Sequence, residues 1–348
     1  MSNEPLAAVF RRLIAATGPI SVAYYMAESN ARYYAARDPL GAAGDFVTAP
    51  EVSQMFGELI GLWLADLWQR AGRPQPIHYV ELGPGRGTLA RDALGAAGRQ
   101  GLIPQVHLIE TSPVLRAFQR EQFPDAHWHN DLAALSADGP LLVVANEFLD
   151  ALPVRQLVRT AAGWRERMVG LDGNRLVFVA GAQPMDAALP AALRDAPEDA
   201  VVETCPAAAA VIDEIAARLA AQGGAALFVD YGHAEPRTGS TLQAVRGHAK
   251  IDGLAAPGEA DLTAHVDFAA LAEVARARGA RWLGTVEQGA FLRALGIDAR
   301  AQALAALAPE RASEIMTARQ RLVADGQMGA LFKVMALAHP TWPEPAGF

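Results

Sequence analysis

The stretch "YVELGPGRGTLARDAL" places a carboxylate, Glu81, just ahead of three glycines at alternate positions, Gly83, Gly85 and Gly87. An apolar run precedes them and a helix-compatible run follows, the order in which glycine loops bring backbone close to a nucleotide. Glu81 decides what kind of nucleotide. A dinucleotide loop reads Gly-x-Gly-x-x-Gly and offers a helix N-terminus to a pyrophosphate. Here the third glycine position holds Thr88, and Glu81 would repel a phosphate by roughly 1 to 4 kcal/mol. A cationic ligand without phosphate suits the loop better, and S-adenosylmethionine carries both an ammonium and a sulfonium. Glu110 ends the next apolar run, "QVHLIE", where an acid accepts hydrogen bonds from ribose hydroxyls. Asp131 follows a third run, "AHWHN", and is placed to approach the adenine amino group. Thr48, in "GDFVTAPEVS" with Asp45 and Glu51, belongs to a loop that would close over the cofactor.

A second acidic loop, "ANEFLDALPVRQ", carries Asn146, Glu147 and Asp150. Acids here would suit a helix N-terminus. They would also hold a guanidinium by charge-assisted, often bidentate hydrogen bonds. Methyl transfer needs mainly alignment and exclusion of water, and such a loop could orient one nitrogen of the acceptor. Two further loops are of interest: "LFVDYGHAE" with Asp230 and Tyr231, and "DLTAHVDF" with His265 and Asp267, the latter also a helix N-cap. His127 and His129 share one face of a strand but lack further ligands, so no metal is expected. Cys205 precedes Pro206 near a helix start and reads as a structural thiol.

These residues need elements to carry them. "IHYVEL", "QVHLIE", "AHWHN", "PLLVVANEF" and "AALFVDYG" are short apolar runs alternating with helical segments. This is the signature of a doubly wound parallel sheet, an α/β fold of Rossmann-like type, with ligands at the carboxyl ends of its strands. Residues 1–75 read as a helical extension that includes a long helix over 51–72, and 76–348 as the core. Within the core, 154–206 reads as an inserted hairpin or meander with turns at Gly163 and Asp172-Gly173. Residues 235–266 read as a loop insertion, and "GALFKVMAL" (329–337) as the closing strand.

The chain has 348 residues, 51% of them hydrophobic, enough for a large core. Its net charge of −8 lowers the expectation of nucleic-acid binding, which calls for a basic surface. A single cysteine leaves no disulfide framework within the chain. No apolar run is long enough to span a membrane. With no signal-peptide pattern at the N-terminus, the expected location is cytoplasmic.

The blocks "GDFVTAPEVSQMFGELIG", "ELGPGRGTL", "NEFLDALPVRQ", "VDYG", "DLTAHVDF" and "MGALFKVMAL" resemble the MidA-type methyltransferases over nearly the whole chain. The resemblance implies a class I methyltransferase core with extra helices and an inserted substrate-side element. It implies S-adenosylmethionine as cofactor, with Glu81, Gly83, Gly85, Gly87 and Glu110 matching the cofactor positions and Asn146 and Glu147 the loop after the fourth strand. It also implies a protein arginine as acceptor, symmetric dimethylation, and a respiratory complex I subunit as the type of partner. A homodimer is a possible assembly. A small-molecule methyltransferase, a cofactor-binding assembly scaffold and, more distantly, a nicotinamide dehydrogenase remain as alternatives.

Overall fold

The computed structural model describes residues 4–36, 48–189, 193–247 and 249–348. Seven strands form the central sheet: β1 His78–Leu82, β2 Gln105–Ile109, β3 His127–His129, β4 Leu141–Asn146, β5 Gly224–His233, β6 Arg281–Glu287 and β7 Phe332–Ala338. Their order is β6-β7-β5-β4-β1-β2-β3, and a short strand, Val266–Asp267, pairs with the end of β5. β1 to β5 pair in parallel, and β7 runs antiparallel to both β5 and β6. Every residue of β1 and β4 is buried, as expected for central strands covered on both faces.

Gln54–Arg70 and Thr88–Arg99 pack on one face of the sheet, bringing Leu59, Ile60, Trp63 and Leu89 against Tyr79 and Leu142. Pro206–Gln222 and Phe268–Ala277 cover the other, with Ile212, Ile215 and Phe268 against Val143 and Phe228. The first pair of helices touches closely: a Cβ built on Gly61 would lie 2.0 Å from the carbonyl oxygen of Ala93. After β1 the chain winds outward to β2 and β3, then returns to lay β4 on the opposite side of β1. This reversal opens a crevice between the carboxyl ends of β1 and β4.

After β4 the chain forms the strands Arg155–Thr160, Gly163–Asp172 and Arg175–Pro184. Val201–Thr204 and, from near the N-terminus, Ile20–Ser21 complete this second sheet. The helix Leu6–Thr17 packs Phe10 and Ile14 in the same apolar cluster as Val169. Gln243–Arg246, Ala249–Ile251 and Asp261–Thr263 form a third, small sheet.

Two boundaries differ from expectation. The long helix starts at Gln54, because Ser53 is extended (φ −166°, ψ 141°) and caps it by accepting from the Met55 amide; Ala49–Val52 forms a separate turn. The closing strand starts at Phe332, after a helical turn over Met328–Leu331. Of the loop "GDFVTAPEVS" (44–53), residues 44–47, Asp45 among them, lie outside the described residues.

Candidate active site

The crevice holds a cavity of about 450 Å³, lined by Glu81, Gly83, Gly85, Glu110, Asn146 and Glu147 among others, within the range of small-molecule sites, roughly 300–1,000 Å³. The three loop glycines all adopt positive φ: 61°, 57° and 81° for Gly83, Gly85 and Gly87. A side chain at Gly83 would meet the Phe148 ring at 2.9 Å, and one at Gly87 the Phe123 ring at 2.9 Å. The next helix staples this loop: Gln119 Nε2 donates to Gly85 O (2.7 Å) and Gln122 Nε2 to Arg86 O (2.7 Å).

Glu81 is buried near the carboxyl end of β1 and accepts a hydrogen bond from the Tyr79 hydroxyl (2.5 Å). No Lys or Arg pairs with it among the described residues. Burial therefore pushes its carboxyl up to about 8, and the Tyr79 bond offsets only part of that rise. Glu110 accepts from the Ser112 amide (2.7 Å) and is likewise raised by burial. Thr48 lines the cavity, and Glu51 beside it accepts from the Thr88 hydroxyl (2.6 Å). Glu51, Glu81, Glu110 and Glu147 outweigh Arg86 in the described lining and make the wall acidic on balance, a setting for a cation rather than a phosphate.

At the end of β4, Glu147 has φ +51°, which only a tightly held non-glycine residue adopts. Its amide donates to Val229 O (2.9 Å), fixing the turn. Its Oε1 accepts from Ala49 N (3.1 Å) and Asn146 Nδ2 (3.1 Å). Burial raises this carboxyl to about 7. Asn146 is 9% exposed, and its Oδ1 has no hydrogen-bond partner among the described residues. A buried acceptor at a cavity wall costs energy until a donor reaches it.

Two expected site residues sit elsewhere. Asp131 is exposed, accepts from Ala133 N (3.0 Å) as the cap of a short 3₁₀ turn, and is not part of the cavity wall. Asp150 is buried behind the wall, hydrogen-bonded to Tyr231, with its carboxyl raised by burial. Asp230 holds this loop from β5: its Oδ2 accepts from both Leu149 N (2.9 Å) and Asp150 N (3.2 Å). The sequence reading passed over Asn30, Tyr34, Tyr79 and Gln119. Asn30 Nδ2 donates to Ala151 O (3.1 Å) and Leu262 O (2.7 Å), and its Oδ1 accepts from Leu262 N (3.1 Å). Only a cavity-forming fold reveals these partners, because they lie more than 100 residues apart in sequence.

His127 and His129 stack on His107, whose Nε2 lies 3.0 Å from His78 Nδ1. None of these four histidines lines the cavity, and no metal-holding cluster occurs among the described residues. Cys205 is half-buried, its thiol raised by burial, and it accepts from Ala208 N (3.4 Å).

Residues 59–286 match a family model described as "Putative S-adenosyl-L-methionine-dependent methyltransferase". The chain belongs to this family. A zebrafish relative named "Protein arginine methyltransferase NDUFAF7, mitochondrial" is 37% identical, over 93% of this chain and 84% of the relative. The human relative of the same name is 36% identical, over 97% of this chain and 84% of its own length. A crystal structure of a Burkholderia thailandensis protein bound to S-adenosyl-homocysteine superposes with a TM-score of 0.84 at 32% identity, covering 96% of this chain and 92% of that one.

S-adenosylmethionine is accordingly the cofactor of this methyltransferase. The cavity fits it on its own terms: an uncompensated buried Glu81 awaits a cation, and the positive-φ glycines leave no side chain between backbone and ligand. The relatives' names also correct one expectation. They are mitochondrial proteins, which contradicts the cytoplasmic location expected from the sequence, and that expectation is withdrawn.

Proposed function

We propose that this methyltransferase transfers a methyl group to an arginine side chain of a partner protein. The observation that carries the reading is a buried, unpartnered acceptor, Asn146 Oδ1, next to Glu147, whose hydrogen bonds all fall on Oε1, both residues belonging to the cavity wall at the end of β4. The names of the relatives point to the same acceptor chemistry.

Bound S-adenosylmethionine supplies an electrophilic methyl group on sulfur. The chain's own residues do the rest. Glu81 draws in the cationic methionine end, the glycines allow close approach, and Glu110 takes the ribose. Asn146 and Glu147 each accept an N–H from the planar guanidinium, so one nitrogen is turned toward the methyl group. Methylation of that nitrogen frees a proton, and Glu147, with its carboxyl near 7, is matched to accept it at neutral pH. Asp150 and Asp230 shape the loop from behind. Symmetric dimethylation and a respiratory complex I subunit are the product and acceptor type proposed for the reaction.

Mass spectrometry of proteins from matched cells with and without this chain tests the reading. Methylarginine peptides present only with the active chain are the expected result. A methylated product confined to the low-mass fraction would replace the arginine acceptor with a small molecule.

A further inference from the structure

The acceptor end of the cavity has a wall that the mechanism above leaves unused. Tyr34 lies one turn after Asn30 on the helix Val22–Ala36 and lines the cavity. Its hydroxyl donates to Asp261 Oδ1 at 2.7 Å, which fixes the tilt of the ring. Tyr34 lines the same cavity as Asn146 and Glu147. Asn30 ties the same helix to the loop after β4 and to the strand bearing Asp261, so the ring is held from two sides.

We propose that Tyr34 is a specificity-determining residue of the acceptor site: its ring is the face on which the acceptor's guanidinium lies while Asn146 and Glu147 hold its edge. A planar, weakly hydrated guanidinium stacks on an aromatic face more readily than a strongly hydrated ammonium. The wall therefore selects arginine over lysine. The inference rests on the arginine reading above and adds to it the residue that makes the choice.

The test is titration of the S-adenosylhomocysteine-loaded protein with ethylguanidinium chloride and, in parallel, with propylammonium chloride. The wild type is expected to favour guanidinium. Tyr34→Ala should weaken guanidinium binding at least tenfold and remove the preference. Tyr34→Phe keeps the ring and should stay within about threefold of wild type. S-adenosylhomocysteine affinity should stay within twofold in both variants, which also reports that they fold. Unchanged guanidinium affinity in Tyr34→Ala overturns this inference and leaves the arginine reading standing. A parallel loss of S-adenosylhomocysteine binding overturns it too, placing Tyr34 in the cofactor wall. If the wild type binds no ethylguanidinium, the arginine reading falls and takes this inference with it.

Discussion

Glu81 is buried against Tyr79 with no cation beside it among the described residues, while Glu147 accepts from the Ala49 amide through Oε1. In the proposed reaction the two carboxylates serve different parts of the chemistry. Because the Glu147 carboxyl lies near 7 and proton acceptance requires its ionised form, turnover should climb as pH rises through about 7, roughly tenfold per unit on the acid side. A kcat profile that stays flat from pH 6 to 8 would remove Glu147 from the proton transfer. At this scale the sequence was informative where residue type alone decides. A carboxylate before a glycine loop has a charge whatever the packing, so Glu81 was legible. Which way a loop side chain points is set by packing. For that reason Asp131, which turns back to cap its own 3₁₀ turn, and Asp150, which turns to Tyr231, were not.

The helices Gln54–Arg70 and Thr88–Arg99 meet at Gly61, where any side chain would run into the Ala93 backbone. Gly61→Ala should therefore cost on the order of 1–3 kcal/mol and lower the thermal midpoint by several degrees. It should also weaken cofactor binding, because the second helix begins at the Gly87–Thr88 edge of the cofactor loop. Calorimetric scanning showing an unchanged midpoint would mean that the helices shift apart freely. Element by element, β1 and β4 were legible because fully buried parallel strands are continuous apolar runs. The break at Ser53 was not, since apolar spacing continues straight through it. Nor was the joining of Ile20–Ser21 to the meander, a pairing between residues almost 150 positions apart that local pattern does not encode.

Over the whole molecule, the cavity gathers buried carboxyls whose proton affinity is raised in the folded state, Glu81 to about 8 and Glu147 to about 7. A group of this kind contributes stability that is complete below its unfolded value near 4.5 and is lost as pH rises through the folded value. His107 acts in the opposite sense: burial lowers it to about 4, so its contribution is present above about 6.5 and lost as pH falls. The cofactor-free protein should therefore lose thermal midpoint between about pH 6.5 and 8. Saturating S-adenosylmethionine should flatten that slope by placing positive charge beside Glu81. A midpoint rising over this range in the cofactor-free protein would contradict the assignment. The architecture and the cofactor were legible in the sequence, but the wall that carries Tyr34 was not, because it is assembled from the helix Val22–Ala36, the β4 loop and the third sheet. The central claim is that one cavity divides its work between a cofactor carboxylate and an acceptor carboxylate. Its most direct test is to measure S-adenosylmethionine affinity and methyl transfer together in Glu81→Gln and Glu147→Gln. The account predicts that Glu81→Gln loses affinity at least tenfold, whereas Glu147→Gln keeps affinity and loses roughly 10²-fold or more in transfer. Equal losses of affinity in both variants would contradict it.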